Sequence, residues 1–335
     1  MHDVVLISGD GIGPEITESV VRVLEASGAQ INWITAKAGM GAYEETGEPL
    51  PQETIRLFDR YKIALKGPLA TPVGRGFRSV NVSLRQQFNL FSNIRPAKTL
   101  PGVKSPFSGV DLITFRENTQ GMYIGQERHV GEDENHAETI AVVTRSASER
   151  IIRSAFDYAV KHGRKKVTLV HKANILKLTT GLFLDIGREI SEEYPQIEFT
   201  DMIVDNTAMQ MVLNPHQFDI IVTTNLFGDI LSDLASGLVG GLGVTGSANI
   251  GEEHAIFEAV HGSAPDIAGK GIANPTALLF SSIMMLRHLN ETTLADKIQN
   301  AIYTVLQDVN VRTGDLGGKG NTQTYTDALC EVVKG

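Results

Sequence analysis

Cysteine occurs once in these 335 residues, at Cys330, and tryptophan also occurs once. A single cysteine excludes an intramolecular disulfide and a cysteine-based zinc site, and it suits a reducing compartment. Its simplest role is as an ordinary member of a C-terminal helix. No run of about 18 apolar residues is present, so no membrane-spanning helix is expected. The N-terminal "VVLIS" lacks the basic flank of a targeting segment. The cytoplasm is therefore the expected location, or the mitochondrial matrix if a presequence was removed before this numbering begins. Positive charge is in deficit: 30 basic residues face 39 acidic ones, a net charge of −9. That balance argues against a nucleic-acid surface and leaves any anionic ligand to a local basic cluster. Repeats, low-complexity segments and a long linker are also lacking.

What is present is apolar content, 42% of the chain, over a length that suggests two lobes between which the chain crosses more than once. Strand-like runs at "DVVLIS", "YKIALKG", "GVDLITF", "TIAVVTR", "KKVTLVH", "IEFTDMIV" and "FDIIVTT" alternate with helical patterns such as "ITESVVRVLEASG". The alternation predicts a layered α/β fold. Ser146 and Glu149 have capping-box spacing and place a helix start after the strand ending near Arg145; Gly163 marks the helix end. The stretch from Gly237 to Gly251 is expected to be a flexible crossover or a ligand-hugging loop. Pro275 begins a nearly all-apolar helix, buried or at a subunit interface.

The opening "GDGIGPEI", Gly9 to Ile16, resembles a phosphate-cradling loop, but Pro14 stands where a dinucleotide fingerprint needs its third glycine. A tight turn feeding a proline-started helix is the better reading. In "NLFGDILSDLASG", Asp229 and Asp233 lie four apart in a helical pattern, so two like charges share one face. Either the face is solvated, or a hard divalent cation relieves the repulsion; without a Cys/His cluster, that cation would be magnesium or manganese. Arg85, Arg95 and Arg116, with Ser79 and Asn81, are either scattered surface groups or a clamp for a small polycarboxylate. Lys172 in "VHKAN" ends a strand and is a candidate proton acceptor. Tyr123 in "GMYIG" is a packing residue or an acid. "HGSAPDIAGKGIANP" supplies small residues Gly262, Ser263 and Ala264, the ring of His261 and the carboxylate of Asp266, a better dinucleotide loop than the opening one.

Taken in order, "GDGIGPEI", "FRENTQGMYIG", "VHKANILK", "NLFGDILSDLASGLVGGLG" and "HGSAPDIAGKGIANP" resemble the isocitrate and isopropylmalate dehydrogenase family of decarboxylating hydroxyacid dehydrogenases, end to end. The resemblance implies an α/β fold that is not a Rossmann fold, in two domains around a cleft: residues 1–90 with 240–335 for the cofactor, and 91–239 for substrate, metal and dimerisation. It implies oxidative decarboxylation of isocitrate with NAD and Mg2+ or Mn2+. By position, Arg85, Arg95 and Arg116 would bind substrate carboxylates, with Ser79 and Asn81 on the one that distinguishes isocitrate. Asp205, Asp229 and Asp233 would form the metal site. His261, Gly262, Ser263, Ala264, Asp266, Ile267 and Asn274 would hold the cofactor. Lys172 and Asp205 would reach into a neighbouring subunit's site, making a homodimer the minimal unit, with higher oligomers open. Lys172 would take the hydroxyl proton, and Tyr123 would protonate the carbon left by decarboxylation. Asp266 followed by Ile267 resembles the NAD-using branch, because a carboxylate repels a 2′-phosphate; Arg312 nearby is the contrary sign. Homoisocitrate or another 3-substituted malate, and a non-catalytic regulatory subunit, are the alternatives.

Overall fold

The computed structural model describes residues 1–72, 76–131 and 134–335. Twelve strands are found among them: β1 (His2–Ile7), β2 (Ile31–Ala36), β3 (Ile63–Lys66), β4 (Ser92–Lys98), β5 (Asp111–Glu117), β6 (Glu127–His129), β7 (Ala137–Thr139), β8 (Lys166–His171), β9 (Glu198–Ile203), β10 (Ile220–Thr223), β11 (Gly246–Ile250) and β12 (Ala255–Ala259). The helices are α1 (Gly13–Ser27), α2 (Met40–Thr46), α3 (Gln52–Tyr61), α4 (Val80–Gln87), α5 (Arg145–Lys161), α6 (Thr179–Ser191), α7 (Val204–Leu213), α8 (Asn225–Val239), α9 (Thr276–His288), α10 (Thr292–Val305) and α11 (Thr322–Lys334). No helix among the described residues is long and apolar enough to cross a membrane.

Ten strands form one sheet in the order β2-β1-β3-β12-β11-β4-β5-β10-β8-β9. The first four run parallel to one another, and so do the last four. β11 and β4 join the two groups and are antiparallel to each other and to their outer neighbours. The inner parallel strands are mostly apolar runs because helices cover both faces, whereas the edge strands β2 and β9 mix polar and apolar residues. Two apolar clusters are built from residues 4–103 and 244–333, with Leu65, Phe257, Leu278 and Tyr325 at the centre of one. Two others draw on residues 94–239, around Phe115, Phe156, Val222 and Leu231.

Some local expectations need correction. "TIAVVTR" is a strand only at its first residue; Val142 then makes a single bridge to Gly121. The cap of α5 is Thr144, not Ser146, because Thr144 has extended backbone and accepts the Ala147 N–H at 3.3 Å. The glycine-rich stretch is mostly regular structure: it finishes α8, crosses through the short turn at 240–245 and becomes β11, and its small side chains let α9 lie directly on that strand.

The opening motif is the predicted turn. Pro14 starts α1 and Gly28 ends it with left-handed backbone, φ 91°. The turn also grips distant chain. Asp10 accepts the backbone N–H groups of Met40, Gly41 and Ala70 at 2.8–3.0 Å. Ile12 donates to the Ser263 carbonyl at 2.9 Å, while Glu15 accepts from Ala273 N at 3.1 Å and from the Thr322 hydroxyl. At Gly11, φ +59°, a Cβ would stand 2.0 Å from the Ser263 carbonyl oxygen.

Gly11→Ala should therefore destabilise the protein by roughly 3–5 kcal/mol, from left-handed strain plus a backbone clash. Gly47, at φ +78° with open space around it, gives the control: Gly47→Ala should cost only about 1–2 kcal/mol. Urea denaturation measures both, and equal losses would show that the turn does not bear on the Ser263 loop.

Candidate active site

The three arginines do converge, at the seam of the sheet. Arg116, in β5, is 1% exposed, and it can pass beneath α8 because Gly228 has no side chain: a Cβ there would lie 2.6 Å from the arginine's Cγ. Its Nε and Nη2 donate to Asn225 Oδ1 at 3.0 and 2.7 Å, and its Nη1 to Asp229 Oδ1 at 2.5 Å. Arg95, in β4, donates from Nη1 to Ser232 Oγ at 2.8 Å and lies 3.3 Å from both Asp229 and Asp233. Arg85, in the last turn of α4, donates to Glu258 Oε1 of β12 at 3.0 Å. Lys66, fully buried at the end of β3, meets the other oxygen of Glu258 at 2.5 Å.

Buried charges of one sign disturb one another. Burial lowers the Arg116 pKa, and Arg95 and Arg85 add to this, bringing it down to about 9 despite Asp229; it stays cationic at neutral pH. Burial raises both aspartates; the arginines outweigh it at Asp229, which ends below the usual carboxylate range, but not at Asp233, which ends above. Burial is outweighed most strongly at Glu258, which Lys66 and Arg85 hold far below its usual range.

Tyr123 completes the group. Its hydroxyl donates to Asp229 Oδ2 at 2.5 Å, and the Arg116 guanidinium lies 5.1 Å from its ring centre. Burial and the Asp229 hydrogen bond raise its pKa, so it keeps its proton at neutral pH. Helix α4 and the residue before its cap fix its backbone: Gln86 Nε2 donates to the Tyr123 carbonyl at 3.1 Å and Arg78 Nη2 to the Ile124 carbonyl at 3.1 Å. Ser79 caps α4, accepting the Val82 N–H at 3.5 Å, and Asn81 Oδ1 is buried without a hydrogen-bond partner, as is Arg85 Nε. Polar atoms left so suit a polar ligand.

Lys172 and Asp205 stand apart from this cluster and pair with each other at 2.5 Å, where β8 ends and α7 begins. No group of three His, Cys, Asp or Glu side chains able to hold a metal occurs among the described residues. Asp229 and Asp233 thus offer two hard oxygen donors, which fits a divalent cation if further ligands come from elsewhere. The loop after β12 lies against the opening turn through Ser263. Its His261 donates from Nδ1 to the Gly262 carbonyl at 3.0 Å, while Nε2 is buried and unpaired; burial lowers its pKa, leaving a neutral ring for a ligand. Ala264 has left-handed backbone, φ +39°, the kind of strain found at ligand loops. Asp266 is exposed and Ile267 packs on the core. The Asn274 amide is already engaged by Asp315 at 2.9 Å and by Thr276 N at 3.0 Å. Arg312 donates to the Gly102 and Leu306 carbonyls, which ties down its guanidinium.

Sequence reading missed Lys66, Asn93, Asn249 and Glu258. The available signal was a charged residue inside an apolar strand run, Lys66 in "IALK" and Glu258 in "AIFEA". Such a residue, once buried, needs a partner.

Residues 3–331 match the family described as isocitrate/isopropylmalate dehydrogenase. A crystal structure of isocitrate dehydrogenase from Methylococcus capsulatus is 56% identical and superposes with a TM-score of 0.98, each chain covered in full. The mitochondrial NAD isocitrate dehydrogenase catalytic subunit 5 of Arabidopsis thaliana is 49% identical over 97% of this chain and 87% of its own length. A regulatory subunit of the mitochondrial NAD isocitrate dehydrogenase of Dictyostelium discoideum is 50% identical over 99% and 92%.

Glu258→Gln leaves Lys66 and Arg85 without their anion and should cost about 3–5 kcal/mol at neutral pH. Because the folded pKa of Glu258 is depressed, its contribution is complete above its usual value of 4.5 and is lost as pH falls below that. The stability gap between parent and variant should therefore narrow on acidification, as urea denaturation at several pH values will show. A gap independent of pH would remove Glu258 from this role.

Proposed function

Because the chain belongs to the isocitrate/isopropylmalate dehydrogenase family, we propose that it oxidises and decarboxylates isocitrate to 2-oxoglutarate and CO2, using NAD and a divalent cation. The observation that carries this reading is the convergence of Arg85, Arg95 and Arg116 beside Tyr123 and two aspartates. A tricarboxylate needs that density of guanidinium groups. Ser79 and Asn81 favour a third carboxylate over an apolar substituent, since the Asn81 amide, buried and without a partner at Oδ1, can turn over to offer its N–H groups.

NAD, when bound, accepts the hydride, and magnesium or manganese draws electron density from the oxygen at the reacting carbon. The rest falls to the chain. Arg85, Arg95 and Arg116 would bind and orient the carboxylates; Arg95 and Arg116 would exchange their bonds to Asp229 and Asp233 for bonds to substrate, leaving those oxygens able to hold the cation, while Arg85 stays anchored on Glu258. Lys172, in its neutral amine form, would take the hydroxyl proton, directly or through a water, as hydride leaves. Tyr123, kept neutral by its raised pKa, gives its proton to the carbon from which CO2 departs. His261, Gly262, Ser263, Ala264, Asp266, Ile267 and Asn274 line the NAD site, Asn274 by holding the loop shape, and Asp266 selects against a 2′-phosphate that Arg312, already engaged, does not reach for.

Lys172 and Asp205 serve the site of a second subunit in this reading. It is supported by exposed Met209, Val212 and Leu213 on α7 and Ile230 on the adjoining α8, an apolar surface on the helices that carry Asp205, Asp229 and Asp233. A homodimer is the proposed unit; named relatives are subunits of larger enzymes. Residues 1–90 with 240–335 and residues 91–239 are proposed as two domains, following the division of the apolar clusters, with Leu100 and Val103 crossing it. The cytoplasmic location expected from sequence finds no support in the Arabidopsis and Dictyostelium isocitrate dehydrogenase subunits, which are mitochondrial by name; the matrix is the location they favour. A regulatory role is the second reading, prompted by the Dictyostelium relative, and the presence of both Tyr123 and Lys172 favours catalysis.

The purified chain alone should reduce NAD with isocitrate and magnesium, about a hundredfold or more efficiently than with isopropylmalate or homoisocitrate. Comparable kcat/KM for either rival would displace isocitrate. Absence of turnover by the chain alone, with stimulation of a catalytic partner, would favour the regulatory reading. The inactive variants Lys172→Met and Tyr123→Phe, mixed under conditions that exchange subunits, should regain activity as heterodimers. No recovery despite proven exchange would mean that each site is built within one chain.

A further inference from the structure

A buried chain of hydrogen bonds links Arg95 to Arg85, and the proposed reaction does not use its middle members. Arg95 Nε donates to Asn93 Oδ1 at 2.7 Å; Asn93 Nδ2 donates to Asn249 Oδ1 at 2.9 Å; Asn249 Nδ2 donates to Glu258 Oε1 at 2.7 Å; and Arg85 Nη2 donates to that same oxygen at 3.0 Å. Asn118 Nδ2 also donates to Asn249 Oδ1, at 2.9 Å. Asn93 and Asn249 face each other across the antiparallel β4–β11 seam and are 0% and 1% exposed.

The two ends dictate the polarity. An arginine only donates and an ionised carboxylate only accepts, so both amides between them have one permitted orientation. Asn249 is the midpoint of the chain, one bond from Asn93, which holds Arg95, and one bond from Glu258, which holds Arg85. Each arginine also reaches the candidate site, Arg95 at Asp229 and Asp233 and Arg85 from α4.

We propose that Asn249 is a positioning residue that sets the separation and aim of Arg85 and Arg95, so that the two guanidinium groups meet the substrate's carboxylates already placed. This rests on the reading that both arginines bind substrate. The charged groups around Asn249 are Glu258 of β12, Lys66 of β3 behind it, Arg85 of α4 and Arg95 of β4.

Three variants test it by steady-state kinetics. Arg85→Met examines the underlying reading: an unchanged isocitrate KM there would refute that reading by itself. Asn249→Leu keeps the volume and removes the bonds, and should raise the isocitrate KM about tenfold or more while leaving the NAD KM nearly unchanged. Asn249→Asp restores the chain only when its new carboxyl is protonated and can donate to Glu258. Its isocitrate KM, divided by that of the parent, should therefore climb from about pH 6 to about pH 9, the range into which burial beside an anion pushes a carboxyl. A merely structural residue would give no such pH-dependent ratio. The proposal is overturned if Arg85→Met raises the isocitrate KM but the Asn249 variants do not, if the NAD KM rises equally, or if the Asn249→Asp ratio is flat. Failure of both Asn249 variants to fold at any pH would also overturn it, by assigning Asn249 to the fold itself.

Discussion

Four cations, Lys66, Arg85, Arg95 and Arg116, are crowded into the seam of one sheet, and mutual repulsion among buried like charges is the constraint that the surrounding structure answers. Glu258 answers for Lys66 and Arg85, and Asp229 and Asp233 for the other two. The carboxylates cannot be neutral without leaving the cations bare, and the cations cannot be moved without exposing carboxylates. Helix α8, the strand pair β4–β11 and the end of β12 are held in one relation by these demands. A site built this way has its positive potential in place before any anion arrives, which is what electrostatic preorganisation requires.

Much of this was legible from local pattern. The β-α alternation, the proline-started α1, the helical spacing of Asp229 and Asp233, the burial of α9 and the strand preceding Lys172 all follow from periodicity and turn chemistry. Strands β2, β4, β6, β11 and β12 were not found. β11 carries Gly246, Ser247 and Asn249, poor strand formers that are tolerated because α9 packs against them and because polar side chains are needed at the seam. The cap of α5 was misplaced by two residues because Thr144 and Ser146 have the same chemistry; extended backbone at Thr144 decides between them.

The candidate site was legible as a set of residue types and not as a geometry. That Arg85, Arg95 and Arg116 were more than scattered surface charges depended on topology, since β4 and β5 are neighbours while Arg85 reaches the seam from a helix. Spacing also gave no hint that Lys172 and Asp205 would lie apart from the aspartate pair. The buried amides Asn93 and Asn249 were invisible for a different reason. An asparagine in a strand is ordinarily unfavourable, and only the cross-strand register shows that these two face each other.

The strand order also bears on how the protein is made. β3 finds its second neighbour in β12, so the outer parallel group cannot close until most of the chain has left the ribosome. β4, β5, β8, β9 and β10 lie between them in sequence and can pair as a block while the edge of β3 is still bare. Nascent chains therefore spend a long interval with an apolar, unpaired strand edge, the kind of surface that invites wrong association. Quality control during synthesis, rather than equilibrium stability, is where such a topology makes the protein most vulnerable.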